Sequence, residues 1–323
     1  MKFELKRLYR EEFSLQIKVL FLLFTISFLL VTFLNPVFIK LTNIRNLLDH
    51  NSVYLILSLG MSFVIVSGGI DLSIGSVMGL TGIIFGKIFI ITNSVLIAII
   101  ISLILGCVLG LFNGYVIIKH RITPIIATLA TMSLYRGLAL IISEGKPIYG
   151  FPKYFTALSK INYKIFTIPI TFATLLIIFV LIIFRYTKFG HYILCIGSSS
   201  KAVRRVGINS DYYKISVYVI NSLFATIASL ILISRLNSAE PISGMMIESQ
   251  IIAITVLGGT LIYGGRVSVL GIGLASLFMT MISNALTIVG ISSYYQGFIS
   301  GLIILISILF SERKSRDSIP YDF

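Results

Sequence analysis

Charged residues are scarce in this chain. Only 12% of its 323 residues are Asp, Glu, Lys or Arg, whereas 57% are hydrophobic. The mean hydropathy is +1.00. A chain with so much apolar surface cannot hide it in a water-soluble core. The composition excludes a soluble globular fold, and we expect an integral membrane protein.

The sequence also has few residues that could form a metal or redox site. The two cysteines, Cys107 and Cys195, lie far apart, and the three histidines are scattered along the chain. Neither set has the spacing of a metal site or a redox motif. We therefore predict no metal, and we interpret the cysteines as small buried residues.

The motifs of nucleotide-binding and hydrolytic enzymes are missing as well. The segments "GIIFGKI" and "SEGKPI" contain a Gly-Lys pair, but no Ser or Thr follows the lysine as in a Walker A sequence. The 12 acidic residues include no Ser, His and acid grouping that spacing supports. We predict a protein that is not an enzyme, has no ATPase site and binds no cofactor.

Long apolar runs make up most of the sequence. A helix needs about 20 apolar residues to cross the hydrocarbon of a bilayer. Ten such runs fall near residues 17–36, 51–67, 73–92, 94–118, 123–143, 166–184, 213–235, 249–262, 267–289 and 295–311. The first is too long for a secretory signal and lacks a cleavage pattern. We expect an all-α polytopic membrane protein with about ten transmembrane helices in a single domain, residues 1–323.

The basic residues predict the orientation. Lys and Arg number 26 against 12 acids, a net charge of +14. They concentrate in residues 1–16, in the loop 185–214 and in the tail 312–323. Cytoplasmic loops retain positive charge, so we place these segments and both termini in the cytoplasm. The charge also favours contact with anionic lipid headgroups, and no separate basic domain points to nucleic acid.

Two glycine-rich segments interrupt the apolar runs. They are "SGGIDLSIG" at 67–75 and "VLGGTLIYGG" at 256–265, and their glycines align in a weak internal repeat with Gly68 and Gly69 matching Gly258 and Gly259. Non-helical backbone at membrane depth occurs where protein buries it or where it lines an aqueous cavity. Interrupted helices in repeats are typical of transporters.

One acid, Asp71, lies inside the first interruption. It could cap the helix that starts near Leu72, pair with a cation, or contact the solute. Of these, capping is favoured because Asp is among the preferred N-cap residues. We predict a translocation pathway that includes Ser67, Gly68, Gly69, Asp71, Ser73, Asn113 and Asn284. For the two amides, hydrogen bonding between helices is an equally supported alternative.

The basic loop 185–214 contains a short helical pattern. The segment "SKAVRRVGI" begins with Ser200 and ends at Gly207, as capped helices do. Such a helix could dock on a partner, or its basic residues could only enforce topology.

Five blocks resemble one known family. "MSFVIVSGGIDLSIGSVMGLTG" resembles the signature of the permease subunits of bacterial ATP-binding-cassette importers of the ribose, xylose and autoinducer-2 type. The likeness continues, in order, through "GLFNGYVIIKHRITPIIATLATMSLYRGLAL", "FGHYILCIGSSSKAVRRVGINSDYYKISVY", "SRLNSAEPISGMMIESQIIAITVLGGTLIYGG" and "NALTIVGISSYYQ". It extends from about Phe33 to Phe310.

The resemblance implies the bacterial inner membrane as the location of the protein, and it implies partners. Such a permease works as a dimer with a second copy or a paralogue, with cytoplasmic ATPase subunits and with an extracytoplasmic solute-binding protein. In the family, the loop that matches 185–214 supplies the ATPase coupling contact. The resemblance assigns that role to Gly197, Lys201, Ala202, Arg204, Gly207 and Ile208. The stretch Ser198–Ser200 departs from the family pattern, which commonly has Asn and acidic residues there, and a divergent ATPase partner would explain it.

We therefore expect a permease subunit of an ATP-driven importer for a monosaccharide or a similarly polyhydroxylated solute. An importer of nucleosides or amino acids is an alternative. A cation-coupled secondary transporter would also have interrupted helices and a membrane acid, but it would work without an ATPase. A non-transporting membrane scaffold would tolerate loss of Asp71.

Overall fold

The first two long helices have opposite environments. In the computed structural model, which describes residues 15–157, 159, 162–163, 166–291, 295, 297–298 and 301–302, helix α1 spans Leu15–Leu34. It is apolar all round and largely exposed, as expected of a helix that faces lipid. A short 3₁₀ helix, Pro36–Ile39, leads into α2, Leu41–Val66, which is mostly buried.

Three long helices follow, and two of them begin at a recognisable N-terminal signal. Helix α3 spans Ile74–Thr92, α4 spans Val95–Lys119 and α5 spans Pro124–Ser143. The Ser94 hydroxyl accepts the Ile97 N–H and caps α4, and Pro124 occupies the first turn of α5, where its missing N–H costs nothing.

Short strands and a small helix connect α5 to the next long helix. Strand β1, Ile148–Tyr149, is followed by α6, Lys153–Ala157, and by β2, Asn162–Tyr163, which pairs antiparallel with β3, Phe166–Thr167. Helix α7 then spans Ile168–Tyr186, α8 spans Lys188–Arg205 and α9 spans Ser210–Leu236. Strand β4, Ser238–Ala239, pairs antiparallel with β1.

The last two described helices are unequal in length. Helix α10 spans Ile247–Leu257, only 11 residues, and α11 spans Val269–Ile288. The residues between them, 258–268, return to the place where α2 ends, since the Gly265 N–H donates to the Val66 carbonyl at 2.9 Å. We call this end of the helix bundle the break end.

The expected all-α polytopic membrane fold is confirmed. Within the described ranges, eight helices are long and apolar enough to cross a membrane, and each matches one of the predicted runs. The predicted run 249–262 corresponds to the short helix α10. The run 295–311 and the tail 312–323 lie largely or wholly outside the described residues, as do residues 1–14 of the predicted N-terminal segment.

The two interruptions differ in length. Helix α2 ends at Val66 and α3 begins at Ile74, close to the predicted 67–75. The second gap runs over 258–268, later than the predicted 256–265, because α10 continues to Leu257. The left-handed glycine that ends each helix is Gly68 in the first and Gly259 in the second, so the predicted pairing of Gly68 with Gly258 is wrong by one residue.

Helices α2 and α9 form the centre of the bundle, and α9 packs closely against α4. Glycines on one face of α4 allow this approach: a methyl group at Gly106 would overlap Thr226, one at Gly110 would overlap the backbone of Tyr218, and one at Gly114 would crowd Ile215. Small residues let membrane helices approach in this way.

Arg136 joins the segment after β4 to the bundle. Its guanidinium, on α5, donates to the carbonyls of Pro241 at 2.5 Å, Ser243 at 2.8 Å and Gly75 at 3.1 Å. These carbonyls belong to the turn before α10 and to the first turn of α3. A planar group with five donors suits such a three-way contact.

Replacing Arg136 tests this contact. Arg136→Leu leaves three carbonyls without their donor, and we expect it to lower the free energy of unfolding by about 3 kcal/mol. Unfolding in detergent would measure the change. Arg205→Leu, on the exposed end of α8, is the matched control and should change stability by less than about 0.5 kcal/mol. Equal effects of the two variants would contradict the assignment.

Candidate functional site

A tight turn begins the break between α2 and α3. Gly68 adopts the left-handed conformation, with φ +83°. Its N–H donates to the Ile65 carbonyl at 2.9 Å, and the Gly69 N–H donates to the Val64 carbonyl at 3.0 Å. Glycine suits this position because it has no Cβ to oppose a positive φ. The turn directs the chain from α2 toward Asp71.

Asp71 is fully buried and fully bonded. One carboxylate oxygen accepts the Ser73 N–H at 2.9 Å and the Ser73 hydroxyl at 2.6 Å, and the other accepts the Asn221 side-chain amide at 2.9 Å. Ser73 takes the N-cap position of α3, and its side chain makes no capping bond, so the predicted cap at Asp71 is wrong by two residues. The Asp71 carboxylate instead fixes the turn that leads into the helix. The Leu72 N–H is accepted by the Thr128 hydroxyl at 3.1 Å.

The bonding continues across the bundle. The Asn113 amide donates to the Ser73 hydroxyl at 2.7 Å, and the Tyr135 hydroxyl donates to the Asn113 side-chain oxygen at 2.9 Å. We call Asp71, Ser73, Asn113, Tyr135 and Asn221 the Asp71 network. It ties the start of α3 to α4, α5 and α9, and each member is at most 2% exposed.

A cavity lies beside this network at the break end. It has a volume of about 830 Å³ and is lined by the turn Ser67–Gly69, the end of α4, the start of α5 and the junction of α8 with α9. We call it the basic cavity because four cationic side chains line it, Lys119, Arg121, Arg204 and Lys214. Asp211 is the one carboxylate among the lining residues that the structure describes.

A second cavity lies on the other side of the network. It has a volume of about 360 Å³ and is lined by His50, Tyr54, Met78, Gln250 and the turn 244–247, among others. We call it the opposite cavity. From Gly69 to Met78 the chain passes from the basic cavity, through the buried Asp71 network, to the opposite cavity. The buried network therefore lies between the residues that line the two cavities along this stretch of the chain.

The predicted pathway residues fall into three groups. Ser67, Gly68 and Gly69 line the basic cavity, whereas Asp71, Ser73 and Asn113 are buried in the network and line neither cavity. Asn284 is remote from both groups: it exchanges two hydrogen bonds of 3.0 Å with Asn43, at the far end of α2. That all seven residues belong to a translocation pathway stays a prediction.

Sequence reasoning missed Asn221, Tyr135 and Thr128. Asn221 carried a usable signal, because it is a lone amide within an apolar span, as Asn113 is. Tyr135 and Thr128 carried none, since Tyr and Thr are common in membrane helices for other reasons.

The predicted coupling residues lie on or just after α8. The helix kinks at Ser199, whose φ is −161°, and the Ser199 hydroxyl then accepts the Ala202 N–H at 3.3 Å. The predicted short helix is thus the second half of α8, capped by Ser199 rather than Ser200. Gly207, with φ +82°, and Ile208 close its end through bonds to the carbonyls of Arg204 and Val203.

These coupling residues have different contacts. Gly197 lies directly against the two breaks, because a Cβ there would overlap the Val66 carbonyl and the Gly265 N–H. Arg204 donates to the Ser210 hydroxyl at 2.6 Å and forms an ion pair with Asp211, which joins α8 to α9. Lys201 and Ala202 are exposed.

No group of three metal-binding side chains was found among the residues that the structure describes. Cys107 lies in α4 and is half-buried, whereas Cys195 lies in α8 and is exposed, so the expectation of a buried Cys195 is wrong.

Substitution of Asp71 separates hydrogen bonding from charge. Asp71→Ala removes the acceptor for three donors, and we expect it to destabilise the protein by about 3 kcal/mol. Asp71→Asn keeps one side-chain oxygen for the Ser73 donors, and Asn221 can turn its side-chain oxygen, which has no partner, toward the new amide. We expect the Asn variant to cost less than about 1 kcal/mol in detergent unfolding. A loss as large as that of the Ala variant would show that the charge itself is required.

Comparison with known proteins identifies the family. Residues 43–308 match the family described as branched-chain amino acid transport system / permease component. The chain is 36% identical to the ribose import permease protein RbsC of Haemophilus influenzae, over 90% of this chain and 91% of that protein.

Further relatives agree. Identity to the ribose import permease protein RbsC of Bacillus subtilis is 35%, over 89% of this chain and 90% of the relative. Identity to the L-arabinose transport system permease protein AraH of Escherichia coli is 32%, over 91% and 89%. No solved structure gives a significant match. The chain therefore belongs to this family of membrane-spanning permease components, as its broken helices and paired cavities indicate.

Proposed function

We propose that this protein is the membrane-spanning subunit of an ATP-binding-cassette importer that carries a monosaccharide across the bacterial inner membrane. Both termini lie in the cytoplasm, and the break end, with the basic cavity and α8, faces the cytoplasm. The predicted concentration of basic residues on this side supports the orientation. ATP is hydrolysed by partner subunits, and a solute-binding protein delivers the sugar at the opposite cavity.

The relatives support a sugar as cargo. Two of the proteins named above are ribose import permeases and one is an L-arabinose permease. The family description mentions branched-chain amino acids, which keeps an amino acid as the alternative cargo, with nucleosides beside it. A sugar is favoured because these three relatives, which are 36%, 35% and 32% identical to the chain, are all named as sugar permeases.

The contact of Gly197 carries the coupling part of the proposal. Val66 ends α2, Gly265 lies in the second break, and both touch Gly197 of α8. A displacement of α8 by a docked ATPase therefore reaches the two breaks without any intervening side chain. The exposed half of α8, with Lys201 and Ala202, is free to meet that partner.

A cation-coupled transporter is less well supported. Asp71, the acid expected to bind the ion, has both oxygens bonded to protein donors and is 0% exposed. Ion binding would require these three bonds to break. An importer that draws its energy from ATP needs no such step.

We also propose that two copies, or this chain and a paralogue, form the pathway together. The outer faces of α4 and α5 expose large apolar side chains, among them Leu111, Phe112 and Leu129. Lipid or a second permease covers such surfaces in a membrane.

The decisive experiment measures ATP hydrolysis. The chain is co-expressed with its candidate ATPase, reconstituted in lipid nanodiscs, and assayed with and without the sugar-loaded binding protein. Two variants separate docking from transmission. Lys201→Glu reverses a charge on the exposed docking half and should weaken assembly with the ATPase. Gly197→Ala should permit assembly but reduce the stimulation by loaded binding protein at least about tenfold, because the added methyl separates α8 from the breaks.

Gly137→Ala is the matched control for Gly197→Ala. A Cβ at Gly137 meets no atom within 4 Å, and its φ is not positive, so stimulation should be unchanged. Full stimulation of ATP hydrolysis in Gly197→Ala would contradict the proposed coupling of α8 to the two breaks through Gly197. A chain that purifies alone and moves solute down an ion gradient without nucleotide would overturn the importer assignment.

The cargo requires a separate measurement. Proteoliposomes containing the complex, with ATP on the ATPase side, should accumulate radiolabelled ribose or another small sugar when the binding protein is present. Uptake of leucine or a nucleoside instead would select the alternative cargo. Ribose, leucine and uridine should each be tested with its own cognate binding protein, because that protein sets much of the specificity.

A further inference from the structure

The basic cavity has a charge pattern that passage of a neutral sugar does not require. Lys119 and Arg121 come from the turn between α4 and α5, and Arg204 and Lys214 come from the junction of α8 and α9. Within the described residues, only Arg204 among these four has an acid at ion-pair distance. Four cationic side chains therefore line the cavity against the single carboxylate of Asp211, which also attracts Lys214, and this excess of positive charge among the described lining residues favours an anion.

One residue that lines the same cavity has a polar group without a partner. The Tyr218 hydroxyl is buried and makes no hydrogen bond, although Tyr218 lines the cavity. It lies so close to Gly69 that a Cβ there would come within 2.6 Å of the hydroxyl oxygen. An unsatisfied buried hydroxyl costs stability, so a polar ligand atom at this position would repair the deficit.

We propose that the basic cavity is a regulatory site for a phosphate ester of a polyhydroxylated compound. The cationic side chains hold the phosphate, for which Lys and Arg are the usual ligands. The Tyr218 hydroxyl bonds a hydroxyl of the polyol. The volume of 830 Å³ lies within the range of small-molecule sites.

Two sources supply this chemistry. One is a phosphorylated monosaccharide, the product of phosphoryl transfer to an imported sugar, and the other is the headgroup of an anionic glycerophospholipid. The cytoplasmic location of the site rests on the proposed function, whereas the binding itself does not. A bound phosphate would tie the α4–α5 turn to the α8–α9 junction and oppose movement of α8. It would thus slow transport to the extent that it binds one conformation more tightly.

The test uses the full-length chain in nanodiscs of phosphatidylcholine. Calorimetric titration with ribose 5-phosphate should give a dissociation constant that increases with salt, because charge attraction carries the binding. Ribose should bind at least about tenfold more weakly. Phosphatidylglycerol is tested separately, by native mass spectrometry of the chain from nanodiscs that contain it.

Matched variants locate the site. Lys119→Gln combined with Lys214→Gln removes two cavity cations and should weaken ribose 5-phosphate at least about tenfold. Lys188→Gln combined with Arg205→Gln removes the same charge from α8, at residues that do not line the cavity, and should leave affinity within about twofold. Size-exclusion chromatography confirms that both proteins are folded.

Tyr218→Phe separates ligand binding from a structural role of the Tyr218 hydroxyl. The variant loses the unsatisfied hydroxyl, so the empty protein should melt at the same or a higher temperature. Its affinity for ribose 5-phosphate should nevertheless fall severalfold, with the affinity for inorganic phosphate unchanged.

The outcomes are distinct. Binding of ribose 5-phosphate supports a metabolite site, and retention of phosphatidylglycerol alone supports a lipid site of the same chemistry, provided that either is lost in the cavity variant. Absence of both ligands, equal binding of ribose, or equal losses in the two double variants would overturn the proposal. The binding test uses no ATPase. Its failure would therefore leave the importer assignment intact, and a failure of the ATPase assay would leave the proposed phosphate site intact.

Discussion

The structure depends on the pairing of backbone groups where two helices stop inside the membrane. Hydrocarbon offers no water to the free carbonyls and N–H groups of a helix end. The Val66 carbonyl accepts the Gly265 N–H, so one break satisfies the other. The Gln16 amide of α1 donates to the carbonyls of Val256 and Leu257 at the end of α10. Each break therefore exists only because other parts of the chain reach it.

This constraint also explains where the glycines are. Val66, Gly197, Gly264 and Gly265 meet with backbone against backbone, and a side chain at any of the three glycines would separate the groups that must bond. Helix α8 is the outermost layer of this contact. A protein that needed only to close its breaks would not require a surface helix to approach so closely. The arrangement gives α8 direct access to the ends of two membrane helices.

The Asp71 network performs the complementary task on the other side of the first break. It fastens α3 to α4, α5 and α9 with bonds that involve every polar member. The end of α2 is thus held by Gly197 and Gly265, and the start of α3 by the network, with the turn Ser67–Gly69 between them. This turn lines the basic cavity. Alternating access is easiest to understand as movement at this turn between two fastened bodies.

The sequence revealed the helices and the breaks well, because apolar runs and glycine pairs act locally. It placed the caps less well, since Ser73 and Ser199 take the positions predicted for Asp71 and Ser200. It revealed the long-range partners poorly. Asn221 lies 150 positions from Asp71, and the register between the two breaks differs by one residue from the sequence repeat. Gly197 was assigned from family likeness, but nothing local to it shows that its neighbours are Val66 and Gly265. Such contacts depend on how the helices pack, and a single sequence contains no direct record of that packing.

The cations of the basic cavity affect a neutral sugar and its phosphate ester differently. A neutral sugar gains little from the cations of the basic cavity, so they do not hold it against release. A phosphate ester of the same sugar gains much more. No Lys or Arg is among the described residues that line the opposite cavity, so the ester would find no compensation there for leaving the cations. If the site works as proposed, the charges that leave a neutral sugar free to depart would retain its phosphorylated product at the break end. One cavity would then both release the cargo and sense how much of it has been used.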